Sequence, residues 1–72
     1  MDDRCLILFQ NVHIVIKSEQ LIRSKGFEYQ IIPVPSNISS ECGMCIAIST
    51  INSNDVSLLL DSKQINYQLY IE

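Results

Sequence analysis

From Arg4 to Phe9 the chain reads RCLILF, an apolar run with no polar residue alternating through it. Successive side chains of a strand point to opposite faces, so a run of this kind is stable only where both faces are covered. It predicts a central strand, and a central strand needs a neighbour on each side and a packed layer. A chain of 72 residues has room for one domain built around it.

The rest of the chain supplies those parts. Asn11 is placed to cap a helix running to about Lys25, with Gly26 as the left-handed residue beyond its end and Lys25 favouring the negative terminus. Val12, Val15, Ile16, Leu21 and Ile22 are its expected buried face. The β-branched run Val12-His13-Ile14-Val15-Ile16 also suits a strand after a Gln10-Asn11 turn. Against that stand the absence of a hairpin glycine and the segment KSEQLIRSKG, which reads as helix followed by its stop.

Phe27 to Val34 alternates as a strand, with Phe27, Tyr29 and Ile31 on one face and Glu28, Gln30 and Ile32 on the other. Pro33 and Pro35 close it and place it at a sheet edge, because proline cannot donate to a ladder. The polar stretch Ser36 to Gly43 (SNISSECG) is a loop, and Met44 to Thr50 resumes as a third strand. Asn52 or Ser53 caps a second helix reaching about Lys63, with Asp55 in its first turn and Ile51 expected to staple onto Val56. Val56, Leu59 and Leu60 form its stripe. Asn66 to Glu72 alternates as a second edge strand, Tyr67, Leu69 and Ile71 inward.

The order βαββαβ specifies an α+β fold, the ferredoxin-like sandwich: a four-stranded antiparallel sheet with two helices on one face, as a single domain over residues 1–72. Composition agrees, with 47% hydrophobic and 18% charged residues. The net charge is −3 and the basic residues Arg4, Lys17, Arg23, Lys25 and Lys63 are scattered, which argues against nucleic acid as a partner. No apolar run approaches the roughly 20 residues that span a bilayer. The start Met1-Asp2-Asp3 has the wrong sign for a targeting peptide, so a cytoplasmic protein without a membrane partner is expected.

Three cysteines, Cys5, Cys42 and Cys45, are too few and odd in number for a secreted disulfide framework and fit a reducing compartment. The right-handed crossover of the first βαβ unit brings Asn11 and His13 to the sheet edge that also holds the Pro33 to Gly43 loop and Cys42. Cys5 belongs at the opposite edge and reads as a small core residue. Cys42, among polar residues beside Gly43, is the candidate nucleophile, and Cys45 is either a structural thiol or a resolving one. Cys42-Gly43-Met44-Cys45 has redox spacing, but Ile46 to Thr50 after it reads as strand, whereas redox pairs open a helix.

His13, the first helix terminus and the N–H groups of Ser39, Ser40 and Gly43 are candidates for favouring a Cys42 thiolate, while Glu41 opposes it. In the bland reading His13 is a solvated first-turn residue, Ser39 and Ser40 are turn residues, and Glu19 is a solvated charge. The main reading expects no resident metal; an alternative is a soft-metal site of Cys42, Cys45 and His13 for Cu(I) or Zn, open or shared between subunits because it is one ligand short of a closed zinc site.

The segment Pro33-Val34-Pro35-Ser36-Asn37-Ile38-Ser39-Ser40-Glu41-Cys42-Gly43, with its I-S-S-x-C-G string, resembles the hallmark of the selenium/sulfur carrier protein-like family of small bacterial proteins. The likeness extends to the first strand ending in Phe9, the helix opening near His13 with Glu19 inside it, and the C-terminal strand. It implies that Cys42 accepts sulfur or selenium as a persulfide or selenopersulfide. The donor would be an enzyme such as a cysteine desulfurase, and the acceptor a partner enzyme. No cofactor is implied beyond the transient chalcogen, and the chain would be a carrier or accessory protein rather than a stand-alone enzyme. The sequence departs from the pattern in having Val12 where a hydroxyl residue is usual and a second thiol at Cys45.

A reading of another class is a non-enzymatic interaction module. It would dimerise through the edge strand Asn66 to Glu72, or dock through the helix-free face with Tyr29, Tyr70 or Ile32 as its apolar patch.

Overall fold

In the computed structural model, which describes residues 3–38 and 43–71, the elements take the expected order. They are β1 (Arg4–Leu8), α1 (Val12–Ser24), β2 (Gln30–Pro33), β3 (Met44–Ser49), a 3-10 turn (Thr50–Asn52), α2 (Ser53–Ser62) and β4 (Gln68–Ile71). The strands lie in the order β2-β3-β1-β4 and every adjacent pair is antiparallel. This is the ferredoxin-like arrangement, with β1 central and β2 and β4 at the edges.

Alternation along β1 divides the core in two. Cys5, Ile7 and Phe9 pack with Ile46 and Ile48 of β3 against Val15 and Ile22 of α1 and Val56 and Leu60 of α2. Leu6 and Leu8 face the other way, with Cys45 and Ala47, where no helix of the described residues lies. Ile32, Val34 and Ile38 cover that second cluster instead. The polypeptide after β2 thus folds back over the helix-free face and buries it in place of a third layer.

Both helices end in the same device. After α1, Gly26 at φ +81° lets its own N–H donate to the Arg23 carbonyl and that of Phe27 to the Ile22 carbonyl. After α2, Gln64 and Ile65 donate to Asp61 and Leu60 in the same pattern, yet Gln64 holds φ +58° without being glycine. Ile22 and Leu60 are both buried beside these turns. The helix beginnings differ. Asn11 Oδ1 accepts from the Ile14 amide at 3.0 Å, as expected of a cap, whereas α2 has no side-chain cap and is entered through the 3-10 turn.

Several expectations need correction. Val12 and Ile16 are exposed; the buried stripe of α1 is Val15, Ser18 and Ile22, flanked by the partly buried Ile14 and Leu21. At 100° per residue Val12 and Ile16 fall well to one side of that stripe. Ser18 is wholly buried and its hydroxyl has no hydrogen-bond partner among the described residues; a small residue here lets the helix sit close to the core. Ile51 is 87% exposed and staples nothing, because the tighter 3-10 geometry turns it outward.

β2 is shorter than Phe27 to Val34. Its register, Gln30 opposite Ala47, would put Glu28 opposite Ser49, the last residue of β3 before the 3-10 turn. Tyr29 is not part of a helix-free patch, since it packs against the helix-side cluster. Ile32 on the helix-free face is partly buried, and Tyr70, opposite Leu6, is left exposed there.

The two helix ends generate a prediction. Gln64→Gly should stabilise the protein by about 0.5–1 kcal/mol, and Gly26→Ala should destabilise it by about 1 kcal/mol, because only glycine occupies this backbone region without strain. Urea unfolding of the two variants measures both, and the opposite signs distinguish strain from general disturbance.

Candidate functional site

β1 and β2 run in the same direction, so their C-terminal ends meet one edge of the sheet. Leu8 is opposite Cys45, and Pro33 is opposite Met44. The start of α1 comes after Phe9 to Asn11 at this edge, and His13 is exposed in its first turn. The first turn holds no acidic residue, so the positive end of the helix dipole is not offset there.

The connection between β2 and β3 begins and ends at the same edge. Val34 N–H donates to the Gly43 carbonyl at 3.0 Å, and Ile38 N–H donates to the Pro35 carbonyl at 2.9 Å. Ile38 and Val34 both pack on the cluster of Leu6, Leu8, Cys45 and Ala47. Gly43 is exposed with φ +75°, so the step into β3 uses a backbone conformation that favours glycine. Ser39, Ser40 and Cys42 lie outside the described residues.

The other two thiols are placed in the core. Cys5 and Cys45 are wholly buried. Cys5 belongs to the helix-side cluster and Cys45 to the opposite one, with Cys5 opposite Ile48 and Cys45 opposite Leu8, so the sheet stands between them. Burial pushes the Cys5 thiol above its ordinary value of 9.0, partly offset by a backbone hydrogen bond from Tyr70. Cys5 is therefore a packing residue at neutral pH, as expected. Among the described residues no three of His, Cys, Asp and Glu come together as metal ligands.

One polar group departs from its sequence reading. Glu19 is not a solvated charge: its side chain is only 15% exposed, its Oε2 accepts from the Tyr29 hydroxyl, and Arg23 stands 3.7 Å away. The contact ties α1 to the residues leading into β2. The signal available in the sequence is the inward parity of Tyr29, one face with Ile31, beneath a helix carrying a Glu-Arg pair at i, i+4 spacing. On the other side, Tyr67 donates to Asp61 Oδ1 at 2.9 Å and fastens α2 to the approach to β4.

The whole arrangement from β1 onward matches one family model, described as Putative Se/S carrier protein-like, over residues 4–72. The chain belongs to that family. The match covers both core thiols, the α1 terminus and the connecting segment, so the Se/S carrier family is defined on the full sandwich rather than on the loop alone. No curated protein and no solved structure is significantly similar to it. No helix among the described residues of this family member is long and apolar enough to cross a membrane.

These placements can be checked in two ways. In the native protein, Cys5 and Cys45 should resist alkylation by iodoacetamide and react only after denaturation, as read by peptide mass spectrometry; native labelling of either would contradict the packing. The second check concerns alkali. The Glu19 hydrogen bond raises the Tyr29 hydroxyl above its ordinary 10.0, with burial and the Glu19 charge adding to it. A raised folded-state value stabilises the protein below the unfolded value and loses that contribution as pH rises through the folded one. Stability should therefore fall above about pH 10, and Tyr29→Phe should make the fall shallower in a series of unfolding curves.

Proposed function

We propose that this chain is a chalcogen carrier in which Cys42 transiently holds sulfur or selenium as a persulfide or selenopersulfide. It would take the atom from a donor such as a cysteine desulfurase and pass it to an acceptor enzyme. The observation that carries the reading, beside family membership, is the burial of the other two thiols in separate halves of the core. In sequence, Cys42 comes between Pro33, the last residue of β2, and Met44, the first of β3.

The chemistry asks little of the fold. The Cys42 thiolate attacks the terminal sulfur of the donor persulfide; a new sulfur–sulfur bond forms, the donor's own bond breaks, and the donor leaves as a thiolate. The terminal proton travels with the sulfane sulfur, and no net oxidation occurs. Delivery repeats the step with the acceptor thiolate as nucleophile and returns Cys42 to the thiolate. Selenium takes the same path when the donor supplies it already at the zero-valent level.

In this reading, His13 and the positive end of α1 favour the thiolate from across the edge. The N–H groups of Ser39, Ser40 and Gly43 would bind the anionic terminus. Cys45 is the candidate resolving thiol, able to attack the Cys42 persulfide and release the outer atom as sulfide with formation of a disulfide. That role needs its cover of Ile32, Val34 and Ile38 to lift, since Cys45 is wholly buried. The protein would act as an accessory to enzymes in a reducing bacterial cytoplasm rather than catalyse a reaction alone.

The test is intact mass under non-reducing conditions after incubation with a cysteine desulfurase and either cysteine or selenocysteine. A gain of one sulfur or selenium atom that reductant removes, that Cys42→Ser abolishes and that Cys45→Ser retains is the expected result. No adduct on the wild-type chain, or an adduct that survives in Cys42→Ser, overturns the reading.

A further inference from the structure

The two edges of the sheet are not equally defended. β2 contains Pro33, which has no N–H to offer a further strand, and Pro35 comes soon after. β4 is Gln68-Leu69-Tyr70-Ile71, with no proline and no charged residue, in unbroken register with β1. Leu69, Tyr70 and Ile71 are 42%, 41% and 64% exposed. The Tyr67 hydroxyl, just before β4, lies 3.4 Å from the Ser57 carbonyl of α2. An uncharged edge with apolar side chains on both faces is the kind that natural sheets normally blunt.

We propose that the outer edge of β4 is a self-association surface, on which a second copy of this chain adds its own β4 antiparallel to continue the sheet. Charge favours this occupant. A strand paired with its own copy sets each side chain against one from the same segment, so any charge near the centre faces a like charge. Gln68 to Ile71 carries none, and so offers a charged partner strand nothing to recognise. Elsewhere the net charge of −3 disfavours the approach of two copies, which leaves this edge as a place of contact without repulsion.

Symmetry fits as well. A twofold axis perpendicular to the sheet keeps the helices of both copies on one side, so directly paired residues must share a face. Leu69 then meets Leu69 with Gln68 opposite Tyr70, or Tyr70 meets Tyr70 with Leu69 opposite Ile71. In the first register the helix-side row Ile31, Ile46, Ile7, Leu69 runs on into the copy. In either, the exposed apolar groups of the edge lie against their equivalents. The surface is independent of the thiol chemistry proposed above.

Sedimentation equilibrium of the full chain under reducing conditions, from micromolar to millimolar concentration, tests it. The expected result is a monomer–dimer equilibrium that Leu69→Lys and Ile71→Lys each weaken about tenfold or more. Ile16→Lys, on the exposed flank of α1, should leave it unchanged. On the unaltered protein, amide exchange at residues 69–71 should slow as concentration rises, which needs no variant to fold. A monomer at every concentration overturns the proposal. So does a dimer seen only without reductant, a dimer indifferent to Leu69→Lys and Ile71→Lys, or exchange at 69–71 that ignores concentration.

Discussion

The burial of β1 on both faces is the constraint on which the remaining structure depends. Cys5 and Ile7 demand a layer on one side, and Leu6 and Leu8 demand one on the other. Two short helices satisfy the first. For the second a chain of this size has no third layer available, and it uses the residues around the β2–β3 connection, Ile32, Val34 and Ile38. Each apolar side chain so covered is worth about 1.5–3 kcal/mol relative to exposure. The connection is therefore part of the core at its near end as well as the bearer of the candidate thiol.

How much of this is legible in the sequence depends on whether the signal is local. The order of elements, the edge positions of β2 and β4, the Asn11 cap and the Gly26 stop are carried by a few adjacent residues, and the structure has them. The second helix stop is not legible, because Gln64 takes the left-handed conformation that its neighbours impose and a glycine would have advertised. Val12 and Ile16 are as apolar as Val15, and only the roll of α1 over the sheet, set by Ser18 and Ile22 in the core, decides which of them is buried. Ile51 fails as a staple for a similar reason: the Thr50 amide is held by the Asp3 carbonyl at 3.1 Å and the chain enters α2 through a tighter turn.

The candidate site divides along the same line. Parity alone separates Cys5 from Cys45, since β1 pairs with β3 in a register that places one thiol on each face. The gathering of the α1 terminus and the β2–β3 connection at one edge is a consequence of the crossover rule. The Glu19 to Tyr29 contact is legible only in part: the inward parity of Tyr29 can be read from the sequence, but the helix orientation that brings Glu19 to it, ten residues away, cannot.

Fixing the ends of the segment that holds Cys42 has a chemical consequence. Ile38 is packed on the Leu6, Leu8, Cys45 and Ala47 cluster at one end, and Gly43 is bonded to Val34 at the other. Both anchors belong to the same few side chains, those that also bury Cys45. A change in that cluster, such as oxidation of Cys45 or loss of Ile38, would reach both anchors of the connection through packing. Because the sheet separates the two clusters, the cover of Cys45 and the packing of the helices rest on different side chains. The helix-side cluster holds Ile22, Val56 and Leu60 against β1 and β3, so that face of the sheet is packed independently of the β2–β3 connection.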